Sequence, residues 1–436
     1  MNKEILRLAI PNILSNITVP LLSSVDTAVM GHLESPVYLG AIALGSMIFN
    51  FIYWGFGFLR MGTTGLTAQS FGAENKIEVS SIMYRSVLIS IFFGFVLILL
   101  QSPISNLGFY LIEGSREVEK YAIEYYDIRI LAAPATLALY SIHGWFLGIQ
   151  NAKYPLYLAL VINLLNIILN LLFVFQLNLK VEGVAWATVI SQYTGALFAI
   201  FLMLKRYKSY VRKFITKLIL DKYKLLKFFR VNSDIFIRTL LLIFVISFFT
   251  AKSAEINDTI LAANFILMQL WLIIAYGVDG FAFAAESLVG KYFGANDAQN
   301  LKKTIKYSFL WGGFLGFSLS IIYLVFGQQI LSVYTNQVIV IEAAMSFIIW
   351  IVISPIINSV SFIWDGIYFG ATATRNMLYS MIVSTLLFFL PIYFFTKDIL
   401  GNHSIWFSLT VFMVIRGLTL TLFYKKSIID LIKIKH

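Results

Sequence analysis

Long apolar runs broken by short polar interruptions dominate this chain. Twelve can be marked, near residues 8–31, 41–69, 83–104, 124–148, 155–177, 183–204, 232–251, 259–289, 307–332, 343–369, 376–396 and 404–424. A helix needs about 20 predominantly apolar residues to cross the hydrocarbon core of a bilayer, and each run meets that length. None shows the period-two alternation of a membrane barrel strand. The pattern predicts an all-α polytopic membrane protein with twelve transmembrane helices. Lys3 and Arg7 ahead of the first run give it a superficial likeness to a signal peptide. It lacks a small-x-small cleavage site and contains Pro11, Pro20 and Asp26, so it reads as a retained first span.

Composition agrees with the pattern and narrows the chemistry. Of 436 residues, 59% are apolar and only 13% charged, against about 25% charged in a soluble domain. There is no cysteine, which removes disulfide frameworks, thiolate metal sites and thiol nucleophiles. His32, His143, His403 and His436 are scattered singly, without metal-ligand spacing. Gly290-Lys291 is followed by Tyr292 and does not complete a phosphate-binding loop. No nucleophile elbow stands out either. An enzyme is not expected, nor a cofactor, and uphill transport would draw on an ion gradient.

Lysine and arginine set the orientation. The side that holds both termini collects 24 of them and the opposite side 5, which assigns both termini to the cytoplasm of a cell (inner) membrane. The same bias explains the net charge of +11 without nucleic acid. Ten basic residues fall between Lys205 and Arg230, interleaved with Ile215, Leu218, Leu225, Phe228 and Phe229. That segment reads as a topology anchor and linker that can also lie along the anionic inner leaflet.

An offset of 222 residues aligns Ile52, Gly55, Leu66 and Phe71-Gly72-Ala73 with Ile274, Gly277, Leu288 and Phe293-Gly294-Ala295. It also aligns Gly144, Gly148 and Leu156-Tyr157 with Gly366, Gly370 and Leu378-Tyr379. One offset serving two separate windows indicates duplication. Each unit has six runs, an even number, so the repeats are parallel, an architecture used for alternating access. The expected organisation is an N-lobe at 1–204, a basic cytoplasmic linker at 205–230 and a C-lobe at 231–436.

Ionisable groups inside a membrane are costly and by default functional. Asp26 lies about two-thirds along the first run; burial would raise its pKa toward a range where it loads and releases protons. Pro11 and Pro20 in the same run make a bendable helix. The fifth run carries Asn163, Asn166 and Asn170, the last two stacked on one helix face, and Thr188 in the sixth run adds a hydroxyl. These groups either accept from a protonated carboxyl, ligate a small cation or glue helices together. Glu286, Asp365, Asp279 and His143 are candidate substrate-binding groups. Under the offset, Glu286 and Asp365 stand where the first half has Thr64 and His143. Acids facing a central path would attract cations; pairing with Arg60, Arg129, Arg238 or Arg416 is the alternative. Phe, Tyr, Trp and Met are abundant enough to line an adaptable apolar cavity.

Several of these stretches resemble the multidrug and toxic compound extrusion (MATE) family, in its DinF-like prokaryotic branch. They are Leu8-Ala9-Ile10-Pro11 through Val25-Asp26-Thr27-Ala28-Val29-Met30-Gly31, Gln69-Ser70-Phe71-Gly72-Ala73, Val181 to Thr188, and Trp364-Asp365-Gly366 with Gly370-Ala371-Thr372. The resemblance spans essentially the whole chain. It implies an outward-pumping antiporter whose two six-helix lobes form a V, with Asp26 as the proton or sodium site and Pro11 as the point where the first helix bends. In some members an Asn, an Asp four residues on and a Thr on the next helix help form the cation site. Asn166 and Thr188 match, giving a sodium site at Asp26, Asn166 and Thr188 as the alternative. Asn170 stands where the Asp would be, which favours protons. The expected partners are small amphipathic or cationic substrates and the lipid bilayer, with the protein a monomer. A flippase for lipid-linked oligosaccharides is the competing reading; Asp26, Glu286 and Asp365 favour the exporter on charge.

Overall fold

The structure is a computed structural model of the full chain. It describes the backbone of all residues except 32, 34, 112–114, 212–214 and 435–436; the side chains of 19–24, 26–28, 30–31 and 433–434 are likewise outside the described residues. Among the described residues twelve long helices follow one another: α1 (Asn2–Gly31), α2 (Pro36–Gly72), α3 (Lys76–Leu99), α4 (Arg116–Gly148), α5 (Lys153–Gln176), α6 (Val181–Arg206), α7 (Lys222–Ala254), α8 (Asp258–Gly294), α9 (Ala298–Tyr334), α10 (Val338–Gly370), α11 (Thr374–Leu400) and α12 (His403–Ile432). Among the described residues, the eleven from α2 onward are long and apolar enough to cross a membrane. Several outrun their apolar runs: α8 and α9 have 37 residues each, about 55 Å at 1.5 Å per residue, so their polar ends continue the helix past the roughly 30 Å core.

The chain divides into two compact units, Leu14–Phe228 and Met1–Ile13 with Phe229–His436. The division differs at both ends from one drawn at 204 and 230. The first turns of α1 pack on the second half, where a Cβ on Gly280 would lie 2.2 Å from Ile13 Cγ1. Tyr292 Oη also donates to the Glu4 carboxylate at 3.2 Å, and Trp311 Nε1 to Asn2 Oδ1 at 3.3 Å. The basic segment after α6 is held by α3 instead of hanging free. Arg85 donates through Nε to Ile219 O at 3.0 Å and through Nη2 to Leu218 O at 2.7 Å. Glu78 pairs with Lys224, and Tyr84 Oη donates to Val211 O. These bonds satisfy carbonyls at the ends of short turns that their own helices leave open.

Within each unit the repeat reappears as one packing geometry. In the first, α4 crosses α2 so closely that a Cβ on Gly144 would sit 2.3 Å from Arg60 O. In the second, α10 crosses α8 with Gly366 in the same relation to Ala282 O, at 2.1 Å. One turn on, Gly148 meets Thr64 O and Gly370 meets Glu286 O. Every member of these pairs is related by the offset of 222. Only hydrogen at Cα allows backbones this near, the device that lets membrane helices gain dispersion contact. The turns match too: Glu74 and Asn296 have φ of 54° and 55°, and each is followed by an N-cap. Asn75 Oδ1 accepts from Glu78 N at 3.0 Å, and Asp297 Oδ1 from Asn300 N at 2.9 Å.

Gly366→Ala should lower stability by about 1–3 kcal/mol, the usual cost of forcing a methyl into a filled contact. Gly313→Ala, where nothing lies within 4 Å, should leave the unfolding temperature in detergent unchanged. Equal behaviour of the two variants would contradict the packing described.

Candidate functional site

The polar row predicted on the fifth span is assembled in the first unit. Asn170 Nδ2 donates to Asn166 Oδ1 at 3.0 Å, and Asn166 Nδ2 donates to Thr188 Oγ1 at 3.2 Å. Thr188 Oγ1 passes its own proton to Val184 O at 3.1 Å. Both asparagines are buried, so the chain of donors runs from α5 into the backbone of α6 away from solvent. Immediately after Asn170 the helix widens into a π-helical turn at Leu172–Gln176, a local change of pitch common beside functional groups.

Helix α5 also meets α1. Asn163 Nδ2 donates to Thr18 O at 3.4 Å. That bond joins α5 to α1 at Thr18, eight residues before Asp26 in the chain. The side chains of Asp26 and Pro20 lie outside the described residues. Helix α1 is continuous through Pro11 and Pro20. Pro11 removes the N–H that would have bonded Arg7 O, and it lies two residues before Ile13, where α1 passes from one unit to the other.

The acids of the second half have three different fates. Asp365 is buried between two cations: its Oδ2 accepts from Arg416 Nη2 at 2.6 Å and also from Arg238 Nη2. The guanidinium of Arg238 lies 5.2 Å from the Phe369 ring centroid, and that of Arg416 lies 5.3 Å from the Phe412 ring centroid. Asp365 thus makes the arginine pairing that the sequence left open as the alternative to a substrate contact, and carboxylate and guanidiniums satisfy one another where water is absent. Glu286 is fully buried and Asp279 partly so. Thr64, at the matching position in the first half, needs no charge, because its Oγ1 donates to Arg60 O at 2.9 Å. His143 sits beside the Gly144 crossing, and its Nε2 has no hydrogen-bond partner among the described residues.

Arg129 was singled out as a possible partner of the acids and takes other partners, whereas Asp234 and Asn264 were not singled out in the sequence. Arg129 donates to Ser46 Oγ at 3.1 Å and to Tyr125 Oη, and lies 4.6 Å from the Phe49 ring centroid. Asp234 pairs with Arg375 at 3.1 Å and accepts from Thr374 Oγ1. Asn264 is tied to Asn402, Ser253 and Trp406 by bonds of 2.7–2.8 Å. The signal that could have found Asn264 is the one that found Asn166, a lone amide in an apolar run. Among the described residues no cluster of three or more His, Asp or Glu is placed to hold a metal ion.

Asp365→Asn should destabilise the protein by about 3–5 kcal/mol, because it strands two buried guanidiniums. Thermal unfolding in detergent checks this. A variant as stable as the parent would mean that the arginines are satisfied elsewhere.

Comparison with known proteins agrees with this architecture. The MatE family model matches twice, at residues 11–172 and 235–394, one match in each repeat. The chain is 37% identical to DNA damage-inducible protein F of Escherichia coli (strain K12), over 98% of its own length and 92% of that protein. It is 24% identical to a probable multidrug resistance protein NorM of Photorhabdus laumondii, over 97% of this chain and 95% of that one. In fold it is similar to a MOP superfamily transporter from Pyrococcus furiosus whose binding pocket is described as of reverse polarity. That match has a TM-score of 0.89 at 18% identity and covers 99% of this chain and 96% of that one. Two matched halves in the order of the internal repeat, and a relative alike along nearly its whole length, show that this chain belongs to the MatE family of polytopic membrane transporters.

Proposed function

We propose that the protein is a proton-coupled antiporter that exports organic cations or other amphipathic toxic compounds across the cell membrane, with both termini in the cytoplasm. The observation that supports this reading is the buried row Asn166–Asn170–Thr188, whose two asparagines lie on the helix that meets α1 at Thr18. Given amides as partners, a carboxyl can hydrogen-bond in both its protonated and its ionised form, which lowers the cost of switching between them inside a membrane. Protons are favoured over sodium because Asn170 stands where the resemblance expects an Asp, which removes a charge from the set Asp26, Asn166 and Thr188. Loading and unloading of Asp26 would alter its contacts within α1, with Pro11 and Pro20 supplying the bends, as alternating access by a duplicated scaffold requires.

Asp279 and Glu286, in the same unit as Asp365, are further candidates to meet a cationic substrate. The two guanidiniums gathered at Asp365 also support a second reading, movement of an anionic amphiphile such as a lipid-linked sugar. Transport assays separate the two.

In proteoliposomes with an imposed pH gradient, the parent should expel a cationic dye and dissipate the gradient in proportion. Asp26→Asn should slow coupled efflux at least ten-fold while keeping the parent's unfolding temperature. Undiminished coupling in that variant would overturn the assignment. Dependence on a sodium gradient would replace the proton.

A further inference from the structure

In the first unit, α3 and α6 both pack on α4 but hardly touch each other, and the short helix Lys208–Val211 bridges them at one end. Between them runs an open groove of about 490 Å³ with an almost wholly apolar lining. Its floor is made of small side chains, Ala135 and Ala138 on α4 and Ala196 on α6. At the offset of 222 the second half carries the larger residues Ile357, Val360 and Leu418, so the small floor is not repeated there.

We propose that this groove holds one acyl chain of an anionic phospholipid from the cytoplasmic leaflet, with the headgroup phosphate at Lys205, Arg206 and Lys208. The lining runs from Met83 to Phe95 along α3, twelve residues or about 18 Å. That length matches one leaflet of a roughly 30 Å hydrocarbon core and is too short for a ligand spanning both. The mouth, at Met203, Leu204 and Val211, adjoins the exposed side chains of Lys205, Arg206 and Lys208. From Lys205 to Arg230 there are ten basic residues and one acid, Asp221. An anionic headgroup complements that charge, whereas an organic cation is repelled by it. The bond from Tyr84 to Val211 O and those from Arg85 to the following turns hold the mouth to α3, so the site is preformed. The inference rests on the cytoplasmic placement of the basic side, and not on the coupling role of Asp26.

Delipidated full-length protein in neutral detergent, titrated with phosphatidylglycerol or phosphatidylcholine and followed by native mass spectrometry and thermal unfolding, tests this. Phosphatidylglycerol should bind at least ten-fold more tightly than phosphatidylcholine and raise the unfolding temperature. Ile200→Trp, which fills the groove from an exposed position, should abolish that shift, and Ala196→Phe provides an independent filling. Combined Lys205→Gln, Arg206→Gln and Lys208→Gln should bring the two lipids to equal affinity. Equal binding of both lipids by the parent, undiminished binding by the filled variants, or displacement of the lipid by a cationic dye would each overturn the proposal. Dye efflux driven by a pH gradient reads the antiport function separately.

Discussion

Inside a bilayer no water is available to hydrogen-bond a polar group, and this one constraint organises the protein. Every backbone amide must be satisfied by its own segment, so the long apolar runs have no choice but to be helices. Every polar side chain left among them has to find a partner on a neighbouring helix. The chain from Asn170 through Asn166 and Thr188 to Val184 O is one answer, made of neutral groups. The clasp of Asp365 by Arg238 and Arg416 is the other, made of charges. Both convert a penalty into a specific contact between helices, and in doing so they fix which faces meet.

Because lipid is as apolar as leucine, burial alone does not drive these helices together; close packing does. The two glycine crossings, Gly144 on Arg60 and Gly366 on Ala282, show how duplication preserves such a contact. Backbone-to-backbone approach tolerates no side chain, so both copies retain it whatever has happened around it. Charge has not been held in the same way. Thr64 satisfies itself within its own helix, whereas Glu286 and Asp365 at corresponding depths bring carboxylates into the second unit. A shared scaffold with unlike interiors is what a transporter needs if its two halves are to do different work. The alanine floor of the groove in the first unit, matched by larger residues in the second, is a further asymmetry of this kind.

The amide row was legible because a single helix places residues four apart on one face, and Asn166 and Asn170 obey that spacing whatever surrounds them. The fate of Asp365 was not. Whether an intramembrane acid faces a path or an arginine depends on which of Arg60, Arg129, Arg238 and Arg416 comes near, and these are separated from it by 51 to over 300 positions along the chain. Nor could the sequence show that α1 is shared between the two units, since its apolar run continues without a break through Pro11.

Helix number, the sidedness implied by lysine and arginine, and the internal duplication follow from the sequence by itself, because each depends on transfer free energies and spacings that are local or additive along the chain. Which buried polar groups pair, where two backbones touch, and where small side chains combine to leave a groove were decided only by tertiary structure. Those outcomes depend on the positions of two or three helices at once, and an interaction that falls off within a few ångströms cannot be read from residues whose separation in space the chain does not specify.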